Sequence, residues 1–216
     1  YGRKVKSLTL TGQCKDIWFT GQYPHAIAAN SNYVFVGHPS NNISILDHRL
    51  NQRTTRSINS NYLSYSWGMS INPAGNRLAI ADYNKNHVVE FSISGDWLTY
   101  TQKTSSTYSS SNGYFRRPTD TGYDSSGNIY VSDLYGHRVQ KFNSSLVYQS
   151  KVGSYSTSSG FRYPYGMHVD SNDKVYATDF YNYAVRQYDT SLVEQNTYGG
   201  GGGTRLDAAK KVIKKI

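Results

Sequence analysis

Pro118-Thr-Asp-Thr-Gly-Tyr-Asp-Ser-Ser-Gly-Asn-Ile-Tyr-Val-Ser-Asp133 and Pro164-Tyr-Gly-Met-His-Val-Asp-Ser-Asn-Asp-Lys-Val-Tyr-Ala-Thr-Asp179 align without a gap. Ser66-Trp-Gly-Met-Ser-Ile-Asn-Pro-Ala-Gly-Asn-Arg-Leu-Ala-Ile-Ala-Asp82 follows the same pattern with one extra residue. A shorter copy, Pro24-His-Ala-Ile-Ala-Ala-Asn-Ser-Asn-Tyr-Val-Phe-Val-Gly37, ends in Gly where the others end in Asp. Nine residues after each copy stands a large apolar anchor: Leu46, Phe91, Phe142 and Tyr188. A β-branched residue precedes each anchor by three: Ile43, Val88, Val139 and Val185. The anchors step by 45, 51 and 46 residues, so the chain is built from internal repeats.

Each repeat reads as four short strands. In the last copy they fall at 166–170, 174–179, 184–189 and 192–197, with Ser, Asn, Asp or Gly in the tight turns. No helical period longer than two turns occurs before residue 204. Four-stranded units repeated every 40–50 residues predict an all-β fold, a β-propeller, in which a blade buries its faces only against its neighbours. The frame divides the propeller, residues 1–198, into a half blade (1–20) and four full blades (22–60, 64–104, 115–153 and 161–198). The half blade follows from the match of Tyr1–Leu8 to the third strand of a later copy, Tyr135–Phe142. This frame suggests a piece of a longer propeller, or a blade completed by another chain. Five glycines, 199–203, read as a flexible linker. Residues 204–216 read as a short basic amphipathic helix, with Leu206, Ala209, Val212, Ile213 and Ile216 on one face.

Composition narrows the function classes. The 216 residues are 37% hydrophobic, 17% charged and 14% aromatic, with 21 Tyr. So many aromatic residues argue against disorder, and one Cys allows no internal disulfide framework. No apolar run is long enough for a membrane-spanning helix. The net charge of +9 invites a nucleic-acid reading, but it gathers at the ends. Arg3, Lys4, Lys6 and Lys15 face only Asp16 in the first twenty residues, and five cations face only Asp207 in residues 200–216. The 179 residues between hold 14 Lys+Arg and 12 Asp+Glu, with Arg116-Arg117 the one conspicuous basic pair. Binding of nucleic acid is therefore disfavoured.

The repeats resemble the NHL repeat family. Its Pro-x-Gly start, Asp-x-x-Gly-x-Ile-Tyr-Val-x-Asp middle and Arg-Val-Gln-x-Phe end are closely matched by Asp124–Asp133 and Arg138–Phe142. The resemblance covers residues 22–198 and implies a fold more than a function. It also implies a ligand face, formed by the residue after the leading Pro and those two and four after the closing Asp. Here these give His25, Trp67, Tyr165, Asn84, Tyr135, Tyr181, Asn86, His137 and Tyr183, with Thr119, Pro39 and Asn41 at the remaining equivalent positions. Rings and amides suit a peptide or a carbohydrate, since rings stack and amides exchange hydrogen bonds.

A weaker likeness reaches the peptidyl-hydroxyglycine amidating lyases, zinc-using relatives. His25 in Tyr-Pro-His and His137 match zinc-ligand positions, and Tyr135 matches a catalytic tyrosine. A second Pro-His is missing, because Pro118 is followed by Thr119 and Pro164 by Tyr165. A catalytic zinc needs three protein ligands. The sequence therefore predicts no catalytic residue and no required cofactor, with zinc or calcium as the metals to test. Asp82, Asp133 and Asp179 read as turn-fixing residues rather than a catalytic ring. Cys14 beside Lys15 reads as a small buried residue. Asn42 and Asn143 head N-glycosylation sequons and point to an extracellular or secreted setting.

The expectation is thus a non-enzymatic interaction or assembly module, its partner another protein or copies of itself, joined through residues 1–20 and 204–216. The alternatives are a zinc-dependent lyase or hydrolase and an RNA-binding propeller.

Overall fold

The computed structural model describes residues 3–155 and 160–200. Among them are a two-stranded sheet and four four-stranded antiparallel sheets. The small sheet pairs β1 (Lys4–Leu8) with β2 (Cys14–Phe19). Blade 1 holds β3 (Ala26–Ala29), β4 (Val34–Gly37), β5 (Asn42–Leu46) and β6 (Gln52–Ser57). Blade 2 holds β7 (Ser66–Ile71), β8 (Arg77–Asp82), β9 (His87–Ser94) and β10 (Trp97–Lys103). Blade 3 holds β11 (Pro118–Tyr123), β12 (Ile129–Asp133), β13 (Arg138–Phe142) and β14 (Tyr148–Val152). Blade 4 holds β15 (Pro164–Val169), β16 (Val175–Asp179), β17 (Ala184–Tyr188) and β18 (Glu194–Gly199).

In every blade the strands pair in chain order. The first strands face the axis and pack in series, β3 on β7, β7 on β11 and β11 on β15. The strands of blade 4 begin and end within two residues of the sequence expectation. One glycine expected in the linker, Gly199, belongs instead to β18, where it pairs with Ala184. The amphipathic helix expected at 204–216 lies outside the described residues.

The two marker positions of the repeat have separate jobs. Phe91 packs in the core between blades 1 and 2, Phe142 between blades 2 and 3, and Tyr188 between blades 3 and 4. Each anchor thus faces the preceding blade. The β-branched residue three positions earlier faces the following one: Ile43 lies between blades 1 and 2, Val88 between 2 and 3, Val139 between 3 and 4. Strand alternation produces this division. On β12, Ile129 and Val131 enter one core while Tyr130 enters the next. A strand that feeds two cores is buried on both faces, so β4, β8 and β12 read as nearly unbroken buried runs.

The small sheet obeys the same rule. Val5 and Trp18 pack with Val34, Val36 and Leu46 of blade 1. Leu8, at the anchor position, faces the other way and is 59% exposed. Cys14 is exposed, contrary to expectation. It pairs with Leu8 at the bulged outer end of this sheet, away from any core.

The inner seam between blades 2 and 3 is closed by a glycine. A Cβ at Gly68 would stand 2.4 Å from the Thr119 carbonyl oxygen and 2.7 Å from Asp120 Cα. Both are main-chain atoms and cannot rotate away. Gly68→Ala is expected to cost about 1–3 kcal/mol, read as a lowered urea midpoint, because overpacking forces backbone shifts. By contrast Gly166→Ala, whose new methyl would meet only Thr178 at 3.5 Å, should be near neutral.

Candidate functional site

The loops at one end of the blades share a design. In blade 3, Asp133 ends the second strand with its carboxylate fully buried, accepting from the Arg116 N–H at 2.7 Å and from Arg138 Nε at 2.8 Å. In blade 4, Asp179 accepts from the Arg162 N–H at 2.7 Å, Arg186 Nε at 2.9 Å and Asn182 Nδ2 at 2.9 Å. In blade 2, Asp82 accepts from the Ser64 and Lys85 N–H groups at 2.6 and 3.0 Å, with His87 4.0 Å away. The aspartates therefore clamp the segment before the first strand to the turn after the second. Main-chain bonds complete the clamp: Tyr135 and Tyr181 donate their N–H groups to the Arg116 and Arg162 carbonyls.

Above the clamp lies a continuous band of aromatic side chains. His25 meets Tyr65 and Trp67 edge-on, each with ring centroids 5.2 Å away. Trp67 stacks on Tyr83 at 4.6 Å and reaches Tyr165 at 5.8 Å. From Tyr165 the band runs through Phe180, Tyr181 and Tyr163 to Tyr135 and His137. Tyr135, Tyr165, Tyr181 and Tyr183 are each 36–44% exposed. Three arginines lie over rings of this end: Arg116 over Tyr108, Arg117 over Tyr83 and Arg162 over Tyr181. The Arg116-Arg117 pair is thus already engaged by the chain's own rings.

The structure sorts the sequence-based candidates. His25, Trp67, Tyr165, Tyr135 and Tyr181 belong to the band, and Asn84 is exposed beside it, its Oδ1 accepting from Arg117. Asn86, His137 and Tyr183 all take left-handed backbone angles, φ 55, 53 and 53. Two of them latch one blade to the next. Asn86 Oδ1 accepts from the Arg117 N–H of blade 3 at 3.2 Å, and His137 Nδ1 accepts from the Tyr163 N–H of blade 4 at 3.3 Å. Burial is the main cause holding His137 below its usual histidine range, with Arg116 and Arg162 adding to it, so the ring stays a neutral acceptor near neutrality. Thr119 and Asn41 are structural: Thr119 is buried and Asn41 bonds the Ile58 carbonyl.

His25 and His137 touch different rings, and among the described residues no three His, Cys, Asp or Glu side chains gather as a metal-holding group. Asn42 opens β5, and the Ser44 of its sequon is buried against His38 and Thr55. Asn143 Oδ1 accepts from the Ser145 and Val147 N–H groups of its own turn. No described helix is long and apolar enough to cross a membrane.

The band rims a cleft of about 500 Å³ on the axis, lined by β3, β7, β11 and β15 and the residues that open them. Its one carboxylate is Asp120, which the sequence reading passed over. Asp120 accepts from the Thr121 and Met167 N–H groups, each at 2.9 Å. Burial pushes its carboxyl up to about 7, opposed only by those two bonds.

Radially stacked four-stranded blades around a lined axial cleft define a β-propeller. Residues 115–142 match the family model described as the NHL repeat. Solved structures with this fold include a streptogramin B lyase (14% identity, TM-score 0.64), covering 84% of this chain and 56% of the lyase. A nidogen/laminin complex aligns at 16% identity and TM-score 0.67, over 87% of this chain and 68% of the other. The virginiamycin B lyase of Staphylococcus aureus with quinupristin aligns at 11% identity and TM-score 0.69, over 94% and 65%. The chain therefore spans little more than half the length of the first of these. No curated protein sequence matches it.

Proposed function

We propose that the chain is a binding module whose aromatic face takes a peptide segment of a protein partner. The observation that carries this reading is the continuity of the band from His25 to His137. Exposed tyrosines and a half-buried tryptophan, held on clamped loops and at the starts of inner strands, give large contact area at little ordering cost, the composition of interface anchors. The nidogen/laminin complex shows that a structure similar to this one is a protein complex. Self-association is the form of this reading suggested by the sides of the fold, where Leu8, Ile17 and Phe19 of the two-stranded sheet are exposed.

The test is a peptide array probed with the purified chain, followed by affinities for the retained sequences. Trp67→Ala is expected to weaken binding by at least about tenfold, as loss of a hot-spot anchor does. Leu8→Asp, remote from the face, should leave it unchanged. Retention of glycans but no peptides, or indifference to Trp67→Ala, would overturn the reading.

A further inference from the structure

The residue two places after the opening residue of each repeat (Pro24, Ser66, Pro118 and Pro164) is Ala26, Gly68, Asp120 and Gly166. Three blades carry a methyl group or less at this ring next to the axis, and the third carries a carboxylate. The fold makes room for it. A Cβ built on Gly68 would stand 2.3 Å from Asp120 Oδ1, so the oxygen occupies space that a side chain on blade 2 would fill.

Asp120 differs from the clamp carboxylates in what faces it. Asp133 and Asp179 are each paired with a buried arginine, and Glu90 with Arg77. Among the described residues Asp120 has no cationic partner within ion-pair distance. Its oxygens accept two main-chain N–H bonds, whereas a carboxylate has about four acceptor sites. Asp120 is partly buried and opens onto the cleft, so half of its acceptor capacity is left for a cation that enters there.

The cleft supplies the rest of a cation site. Trp67, Tyr165 and His25 line it together with Asp120. The Trp67 and Tyr165 rings meet edge-on with centroids 5.8 Å apart, so they bridge from blade 2 to blade 4. Aromatic faces attract guanidinium and ammonium groups, and this end of the fold already holds its own arginines that way. Met69, Ile71 and Val169 offer an apolar wall for an aliphatic stem. A volume of about 500 Å³ suits one side chain rather than a folded domain.

We propose that Asp120 makes the axial cleft a receptor for one organic cation, the ammonium or guanidinium head of a side chain presented by a protein partner. This rests on the binding-module reading above and names what that module's cleft recognises. The other titratable groups facing the cleft are His25, Tyr123, Tyr165 and His168. None of these is a carboxylate, so the attraction depends on Asp120.

The test uses N-acetyl-lysine amide as probe and the Trp67 indole N–H resonance as readout, with N-acetyl-norleucine amide as the neutral match. The lysine probe is expected to shift the resonance saturably, at least about tenfold more tightly than norleucine, and Asp120→Asn should erase that advantage. Asp120→Gly, the residue blades 2 and 4 carry here, is the second variant. Because the carboxyl ionises near neutrality, lysine affinity should rise about tenfold between about pH 6 and pH 8, and stay flat in Asp120→Asn.

Thermal melting supplies an independent reading. A carboxyl with a folded-state pKa above its unfolded value loses stability for the fold as pH rises from about 4 through about 7. Asp120→Asn should therefore melt progressively higher than wild type across that window. No saturable shift in the wild-type chain, equal binding of norleucine, or undiminished lysine binding by Asp120→Asn each overturns the proposal. If Trp67→Ala abolishes peptide binding while Asp120→Asn preserves it, the binding-module reading stands and the cation site falls.

Discussion

Replacing Arg138 by alanine is expected to destabilise the chain by about 3–5 kcal/mol, the usual cost of removing one partner from a buried ion pair. Its guanidinium is almost fully buried and donates to Asp133 at 2.8 Å, to the Ser110 carbonyl at 2.6 Å, and to the Ser111 and Tyr114 carbonyls at 2.9 and 2.7 Å. Truncation leaves the three carbonyls without this donor and the carboxylate without its charge partner. Arg138→Lys keeps the charge but not the planar fork, so it should recover only part of the loss. Burial already holds the Asp133 carboxyl above its usual range, and removing Arg138 raises it further. A carboxyl raised in the folded state favours folding in acid. The penalty of Arg138→Ala should therefore shrink at low pH. Urea midpoints at about pH 5 and pH 8 check both size and sign. A penalty of under about 1 kcal/mol at pH 8 would mean that the clamp is held by main-chain bonds alone.

Phe142→Ala should cost a similar amount, about 3–5 kcal/mol, as large-to-small changes of buried aromatic residues do. Its ring is 1% exposed, 5.4 Å from Phe115 and 6.1 Å from Tyr148, in the core between blades 2 and 3. The chain carries its own control. Leu8 holds the same place in the repeat but is 59% exposed, so Leu8→Ala should change stability by no more than about 0.5 kcal/mol. Denaturant titration of the two variants compares one repeat position with a neighbouring blade against it and one without.

The blades were legible because their packing is written in period two. A nine-residue step from the closing aspartate or glycine to the anchor fixes register, and the β-branched residue three earlier marks the opposite face. The aspartates were read as turn fixers, and the structure shows them bonded to turn and loop N–H groups. What the sequence concealed lies between blades. Asn86 and His137 were read as ligand-face residues, yet their acceptors meet N–H groups 31 and 26 residues away, a distance no local pattern encodes. Tyr65, Tyr83, Tyr163 and Phe180 flank the compared positions by one or two residues and so fell outside the comparison, while the rings fold into a single band. Asp120 had a visible signal: it breaks a Pro-x-Gly start that Pro164-Tyr165-Gly166 keeps. Aligning copies for what they share drew attention away from this departure.

The clamp beneath the aromatic face also separates shape from specificity. Tyr135 and Tyr181 are fastened through their N–H groups and the aspartates below them, not through their rings. A substitution at those two tyrosines rewrites the outer surface and leaves the fastening untouched. The outer surface can thus be changed by exchanging a handful of side chains, in a laboratory library or across generations, without the scaffold having to be rebuilt each time.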